Sequence, residues 1–151
     1  EIAKHEINSY KERYKRSNLR SGRRHFRQSD DLSYAIRGAI FNVYKTLGPG
    51  LLESVYESAL IYELKEQGLH VKNQVDLPVV YRNVKLDAGF RLDLIVEDQI
   101  IVEIKSVEEI TSVHHKQVLT YLKLTVIKLG ILVNFNCDDV NKNIFRKVNQ
   151  L

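Results

Sequence analysis

Phe90-Arg91-Leu92-Asp93-Leu94-Ile95-Val96, then Glu97-Asp98-Gln99, then Ile100-Ile101-Val102-Glu103-Ile104-Lys105, is the stretch on which the fold turns. Two runs rich in Ile, Val and Leu flank a short polar insert, which is the pattern of a β-hairpin. Side chains alternate along a strand, so Glu103 and Lys105 project from one face. A three-residue loop closed by Val96 and Ile100 sets Asp93 directly opposite Glu103, and opposed Cβ atoms lie roughly 4.5–5.5 Å apart. A two-residue loop sets Asp93 opposite Ile104 instead and separates the acids. Under the first register, three ionisable groups converge on apolar strands, with Arg91 on the Asp93 face.

Two carboxylates held together repel, and one of them binds its proton more tightly. A divalent cation removes that penalty. Oxygen ligands without sulfur favour Mg²⁺ or Mn²⁺, which retain open positions for a phosphate. Such an ion polarises a phosphoryl oxygen and acidifies bound water, and Lys105 stands where it can stabilise developing charge. The competing reading is a surface hairpin whose acids and lysine form ordinary ion pairs.

Outward from the hairpin, the periodicity changes. Leu32, Ile36, Ala39, Ile40, Val43 and Leu47 recur at helical spacing, with Asp30 or Asp31 as the cap. Gly48-Pro49-Gly50 ends that helix. A second helix is expected from about Leu51 to Gln67, with Gly68 as its C-terminal cap. Residues 69–75 and 78–81 read as strands, with turns at Asn83 and at Asp87 to Gly89. A third helix is expected from Ser112 to Leu124. A buried strand follows at Gly130 to Phe135, then an edge strand at Ile144 to Val148. The order describes an α/β chain with a central mixed sheet flanked by helices.

The chain of 151 residues suits one domain, and its 44% hydrophobic and 28% charged content excludes collagen-like and coiled-coil classes. The net charge of +4 divides unevenly: residues 1–29 hold nine cations and three anions, leaving −2 for residues 30–151. The division expected is a basic N-terminal arm, 1–29, and a domain, 30–151. Arg20, Arg23, Arg24 and Arg27 with Tyr10, Tyr14 and Phe26 suit phosphates and unpaired bases; a solvated extension or a surface for a partner subunit, such as a homodimer, suits them equally. One cysteine, Cys137, excludes an intrachain disulfide and a cysteine-based zinc cluster, and fits a reducing, cytoplasmic setting. No run is long and apolar enough for a membrane span, and no signal-peptide core opens the chain. The absence of Met, even at position 1, points to a fragment or processed chain.

Asp93, nine intervening residues and then Glu103-Ile104-Lys105 resemble the core of the PD-(D/E)xK nucleases. From about Leu32 to Val148 the chain further resembles the GxxExxY branch of that superfamily. Gly50-Leu51-Leu52-Glu53-Ser54-Val55-Tyr56 carries the naming motif, and Phe90 to Asp93, Val102 to Lys105, Gln117 to Leu122 and Leu132 to Asn136 follow in order. Leu92 stands in place of the proline of the superfamily's name. The resemblance implies a restriction-endonuclease-like fold and metal-dependent hydrolysis of phosphodiester bonds, most readily in DNA, by endo- or exonuclease action. It implies Asp93 and Glu103 as metal ligands, Lys105 as catalytic lysine, and Glu53 as a helical acid completing the metal site or orienting a ligand. Gln117 and Tyr121 resemble the Gln-x-x-x-Tyr helix motif of RecB-like exonucleases, and four residues apart they share a helix face. The alternatives are a catalytically silent nuclease-like module that binds nucleic acid or a protein partner, and a metal-binding factor acting on RNA. His114 and His115 diverge on their helix and are not expected to act in catalysis.

Overall fold

The computed structural model describes residues 29–149. Helix α1 (Ser29–Leu47) buries Leu32, Ile36, Ala39, Ile40 and Val43, the stripe that its helical period marks. Asp30 and Asp31 lie inside its first turn. There they favour the positive end of the helix dipole, and are not the cap expected of them. Gly48 and Gly50 take φ of 68° and 92°, the left-handed backbone that breaks the chain out of α1. Helix α2 (Glu53–Glu66) follows, with Leu52 in extended backbone at its N-cap.

Five strands form one sheet in the order β1 (Val71–Tyr81), β2 (Val84–Val96), β3 (Ile100–Lys105), β4 (Leu129–Asn134) and β5 (Ile144–Val148). Every neighbouring pair is antiparallel except β3 and β4. That parallel pair requires a crossover, which helix α3 (Ser112–Thr125) supplies. Helices therefore cover both faces. Leu94, Val96, Val102, Ile104, Ile131 and Val133 pack under α1 and α2. Leu92, Ile95, Ile101 and Leu132 pack under Val118, Tyr121 and Leu122 of α3. Central strands buried on both faces read as continuous apolar runs, as β3 and β4 do.

The hairpin between β2 and β3 closes through Glu97-Asp98-Gln99, with Val96 paired to Ile100. Glu97 and Asp98 take φ of 53° and 54°, and the Gln99 N–H donates to the Val96 carbonyl at 3.0 Å. The start of β1 locks this turn. The Glu97 N–H donates to the His70 carbonyl at 2.8 Å, and the His70 N–H donates to Glu97 Oε1 at 2.6 Å. Lys72 and Asp98 pair at 2.7 Å. These bonds select the three-residue loop over the two-residue one.

The strands expected at 69–75 and 78–81 are one strand, and the turn expected at Asp87 to Gly89 is absent; β2 runs unbroken through it. The glycine there answers a different need. Gly89 pairs with Pro78, and a Cβ on it would lie 2.6 Å from the Leu77 carbonyl oxygen. The true turn is at Arg82 and Asn83, with φ of 47° and 63°, between paired Tyr81 and Val84. β1 and β2 thus extend as a two-stranded ribbon past the short β3. Gly89→Ala is expected to cost about 1–3 kcal/mol in urea unfolding, because the obstructing atom is backbone; a loss within error would show that the ribbon relaxes freely.

Candidate functional site

The β2–β3 ladder holds Val96 to Ile100, Ile95 to Ile101 and Leu94 to Val102. At the next level stand Asp93 and Glu103, and here side chains take over from the backbone. The Asp93 N–H donates to Glu103 Oε1 at 3.0 Å. The Ile104 N–H donates to Asp93 Oδ2 at 2.8 Å. Each carboxylate thus satisfies an amide of the opposite strand where the two strands part. Strand alternation also breaks at this level: Leu94 packs under α1 and α2, whereas Leu92 packs with Ile95 under α3. The i, i+2 rule therefore does not carry from Asp93 to Arg91. Arg91 lies exposed on the ribbon, bonded to its register partner Asp76 at 2.9 Å.

Glu103 is 2% exposed. Burial, then the neighbouring Asp93, pushes its carboxyl up to about 8. Burial also raises Asp93, against the pull of the Ile104 amide and of Lys105. Both carboxyls are thus raised, as a coupled pair that holds a proton more tightly than a free acid does. Tyr121, buried over the pair, is raised to about 12 by desolvation and by both acids, against a smaller opposing pull from Gln117. Its hydroxyl is therefore a neutral donor at physiological pH. Phe90 meets the Tyr121 ring edge-on at 5.5 Å and closes that side. Sequence spacing had placed Gln117 and Tyr121 on one helix face; α3 sets that face against the acids.

Glu53 opens α2 and accepts from the Ser106 N–H at 3.2 Å, while Ser106 Oγ donates to the Leu51 carbonyl at 2.6 Å. This ties the helix start to the end of β3, just past Lys105. The structure brings Asp93 and Glu103 into one bonded pair and sets Glu53 at its margin, close enough to raise Asp93. Among the described residues, no three acids, histidines or cysteines close into a ready-made cation cage. The donor chemistry nevertheless suits a hard divalent cation: a buried and a half-buried oxygen acid repel, and a positive charge between them removes the cause. Arg20, Arg23, Arg24 and Arg27 lie outside the described residues.

Tyr56, which ends the Gly50 to Tyr56 motif, is fully buried and works as a clamp. Its hydroxyl donates to the Gly48 carbonyl at 2.6 Å and accepts from the Leu51 N–H at 3.1 Å. Its ring stacks on Phe135 at 4.4 Å. It thereby fixes the loop that delivers Glu53. His114 Nδ1 accepts from the Thr111 N–H at 3.0 Å in a helix cap, and His115 packs edge-on to Phe145 at 5.0 Å. Sequence reasoning missed three supports. Asn134, buried opposite Lys105, exchanges hydrogen bonds with both backbone groups of Val107 at 2.9 and 3.0 Å. Glu57, one turn beyond Glu53, accepts from Gln74 Nε2 at 2.7 Å. Gln74 itself takes φ of 50° inside β1. A polar residue ending an apolar run was the available signal for Asn134; none marked Gln74.

A two-faced α/β sheet with acids at an opened ladder and a lysine two residues on defines the restriction-endonuclease-like class. A family model described as the PD-(D/E)XK nuclease superfamily matches residues 30–148, and the chain belongs to that superfamily. Comparison with curated proteins and with solved structures returned no match.

Glu103 binds its proton more tightly folded than unfolded, so the folded state holds more protons between about pH 4.5 and 8. Metal-free protein should lose stability as pH rises through that window. Glu103→Gln should remove this loss and gain about 2–4 kcal/mol over wild type at pH 8.5. Parallel denaturation profiles for the two proteins would refute the assignment.

Proposed function

We propose that this chain is a metal-dependent nuclease of the GxxExxY branch that hydrolyses phosphodiester bonds, with DNA as substrate and Mg²⁺ or Mn²⁺ as cofactor. The observation that carries the reading is the Asp93–Glu103 pair, interlocked through backbone amides, with Lys105 on the same strand as Glu103. Asp93, Glu103 and Glu53 are the ligands in this reading. When bound, the cation supplies Lewis-acid polarisation of the phosphoryl oxygen and acidification of attacking water.

The chain's own residues do the rest. Glu103 gives up its proton on loading, so affinity rises with pH. Lys105 offsets charge developing on the phosphate and orients the nucleophile. Tyr121, beside Gln117 on α3, donates toward the same oxygens without itself ionising. Arg91 and the arginines of the N-terminal segment provide phosphate contacts, which the slightly acidic domain needs. Among the described residues no helix is long and apolar enough to cross a membrane. A cytoplasmic setting, and a homodimer as a working state, belong to the same proposal and rest on the single free thiol and the basic segment.

Asp93→Ala, Glu103→Ala and Lys105→Ala should each lower cleavage at least about 10²–10³-fold while circular dichroism stays folded. The assay uses linear, circular, single- and double-stranded DNA and RNA with Mg²⁺, Mn²⁺ or EDTA. Metal-independent cleavage, or an Asp93→Ala protein that cuts as well as wild type, would sink the proposal. Removing residues 1–29 should weaken substrate binding and flatten its dependence on salt; an unchanged slope would take that segment out of the mechanism.

A further inference from the structure

Gln74 is an anomaly that the reaction chemistry does not explain. It carries a side chain, lies within a strand, and takes φ of 50°. That left-handed backbone is disfavoured for any residue with a Cβ, and persists only where its surroundings enforce it. Its position is equally specific. Asn73 pairs with Leu94 and Val75 pairs with Leu92, so Gln74 falls at the level of Asp93. Alternation reverses across Gln74 just as it does across Asp93. Val71 packs with the cluster under α1 and α2, whereas Val75 and Leu77 pack with the cluster under α3. Two neighbouring strands therefore change face at the same level, and the residue turned out of the regular pleat in β2 is Asp93.

The side chain of Gln74 reaches across to α2. Its Nε2 donates to Glu57 Oε2 at 2.7 Å. Glu57 lies four residues after Glu53 on α2, hence on the same helix face. Glu53 is tied to the end of β3 through Ser106. The acidic face of α2 is thus fastened at two points, to β3 beyond Lys105 and to β1 opposite Asp93. Burial raises the carboxyl of Glu57, the Gln74 bond opposes it, and Asp93 adds to the rise, which places the two acids within each other's field.

We propose that Gln74 and Glu57 are positioning residues: their hydrogen bond holds the left-handed kink in β1 that turns Asp93 out of the pleat toward Ile104 and Glu103. Neither touches the reacting phosphate. For its consequence in catalysis this rests on the nuclease reading; for its consequence in geometry it does not. The Ile104 amide, held by Asp93 Oδ2, reports the geometry without any metal or substrate.

Three variants test it. Gln74→Gly permits the same φ but removes the amide. Glu57→Ala removes the acceptor from a partly exposed helix face. Glu57→Gln retains an oxygen that accepts from Gln74. Hydrogen exchange at the Ile104 amide should quicken about 5–10-fold in Gln74→Gly and Glu57→Ala, while residues 130–133 of β4 keep wild-type rates. Glu57→Gln should restore the wild-type rate. In Mn²⁺-supported DNA cleavage, Gln74→Gly and Glu57→Ala should lose about 10-fold or more in kcat with KM changed less than about 3-fold. The double variant should lose no more than either single one. Unchanged Ile104 exchange in both variants overturns the proposal, as does Glu57→Gln behaving like Glu57→Ala, which would make Glu57 a charge and not an anchor. If wild type cuts nothing while Ile104 responds as stated, the nuclease reading falls and the positioning role stands.

Discussion

Everything in the candidate site depends on how two antiparallel strands stop pairing. A backbone N–H removed from water needs an acceptor, and leaving one without costs free energy. Where β2 and β3 part, the acceptors are the side chains of Asp93 and Glu103, each bonded to an amide of the other strand. This single exchange fixes the position of both carboxyls, because neither can rotate without orphaning an amide. It also keeps Asp93 beside Glu103, so that burial first, and then the neighbouring acid, makes Glu103 resist ionisation.

The remaining structure serves that junction from four sides. The Glu97-Asp98 turn, bonded back to His70 and Lys72, sets the register that brings the acids level. β4 braces β3 through a parallel ladder, and Asn134 holds the chain just beyond Lys105. α3 lays Tyr121 over the acids, near enough for both to raise its hydroxyl. α2, positioned by the Tyr56 clamp, presents Glu53 and Glu57 at the margin. Burial and charge repulsion within the pair act in the same direction on Glu103. Both store unfavourable electrostatics that a cation relieves, so affinity for the cation and the instability of the empty pair have one origin.

Much of this was legible from the chain because it depends on local period and composition. The stripe from Leu32 to Val43 marked α1, the apolar runs at 94–96 and 100–104 marked the hairpin, and the spacing of Asp93, Glu103 and Lys105 marked the site. Misreadings came where one residue type serves two purposes. Gly89 suggested a turn but accommodates the close approach of Leu77. Asp30 and Asp31 suggested a cap but lie inside the first turn. Arg91 was assigned to the Asp93 face by alternation, and alternation fails at that residue.

By itself the sequence determined the three helices, the order of helical and strand regions, and which acids and lysine share a hairpin, since periodicity and turn chemistry act over a few residues; it did not determine where the first two strands begin and end. It also determined that basic charge gathers in residues 1–29 and that the rest is slightly acidic. Only the tertiary structure decided between the two loop registers, through bonds from the turn to β1. Only it joined Gln74 to Glu57 across sixteen intervening residues and set Tyr121 against Asp93 and Glu103. Those contacts join groups on separate elements, whose approach depends on how sheet and helices pack, and local spacing carries no record of that distance.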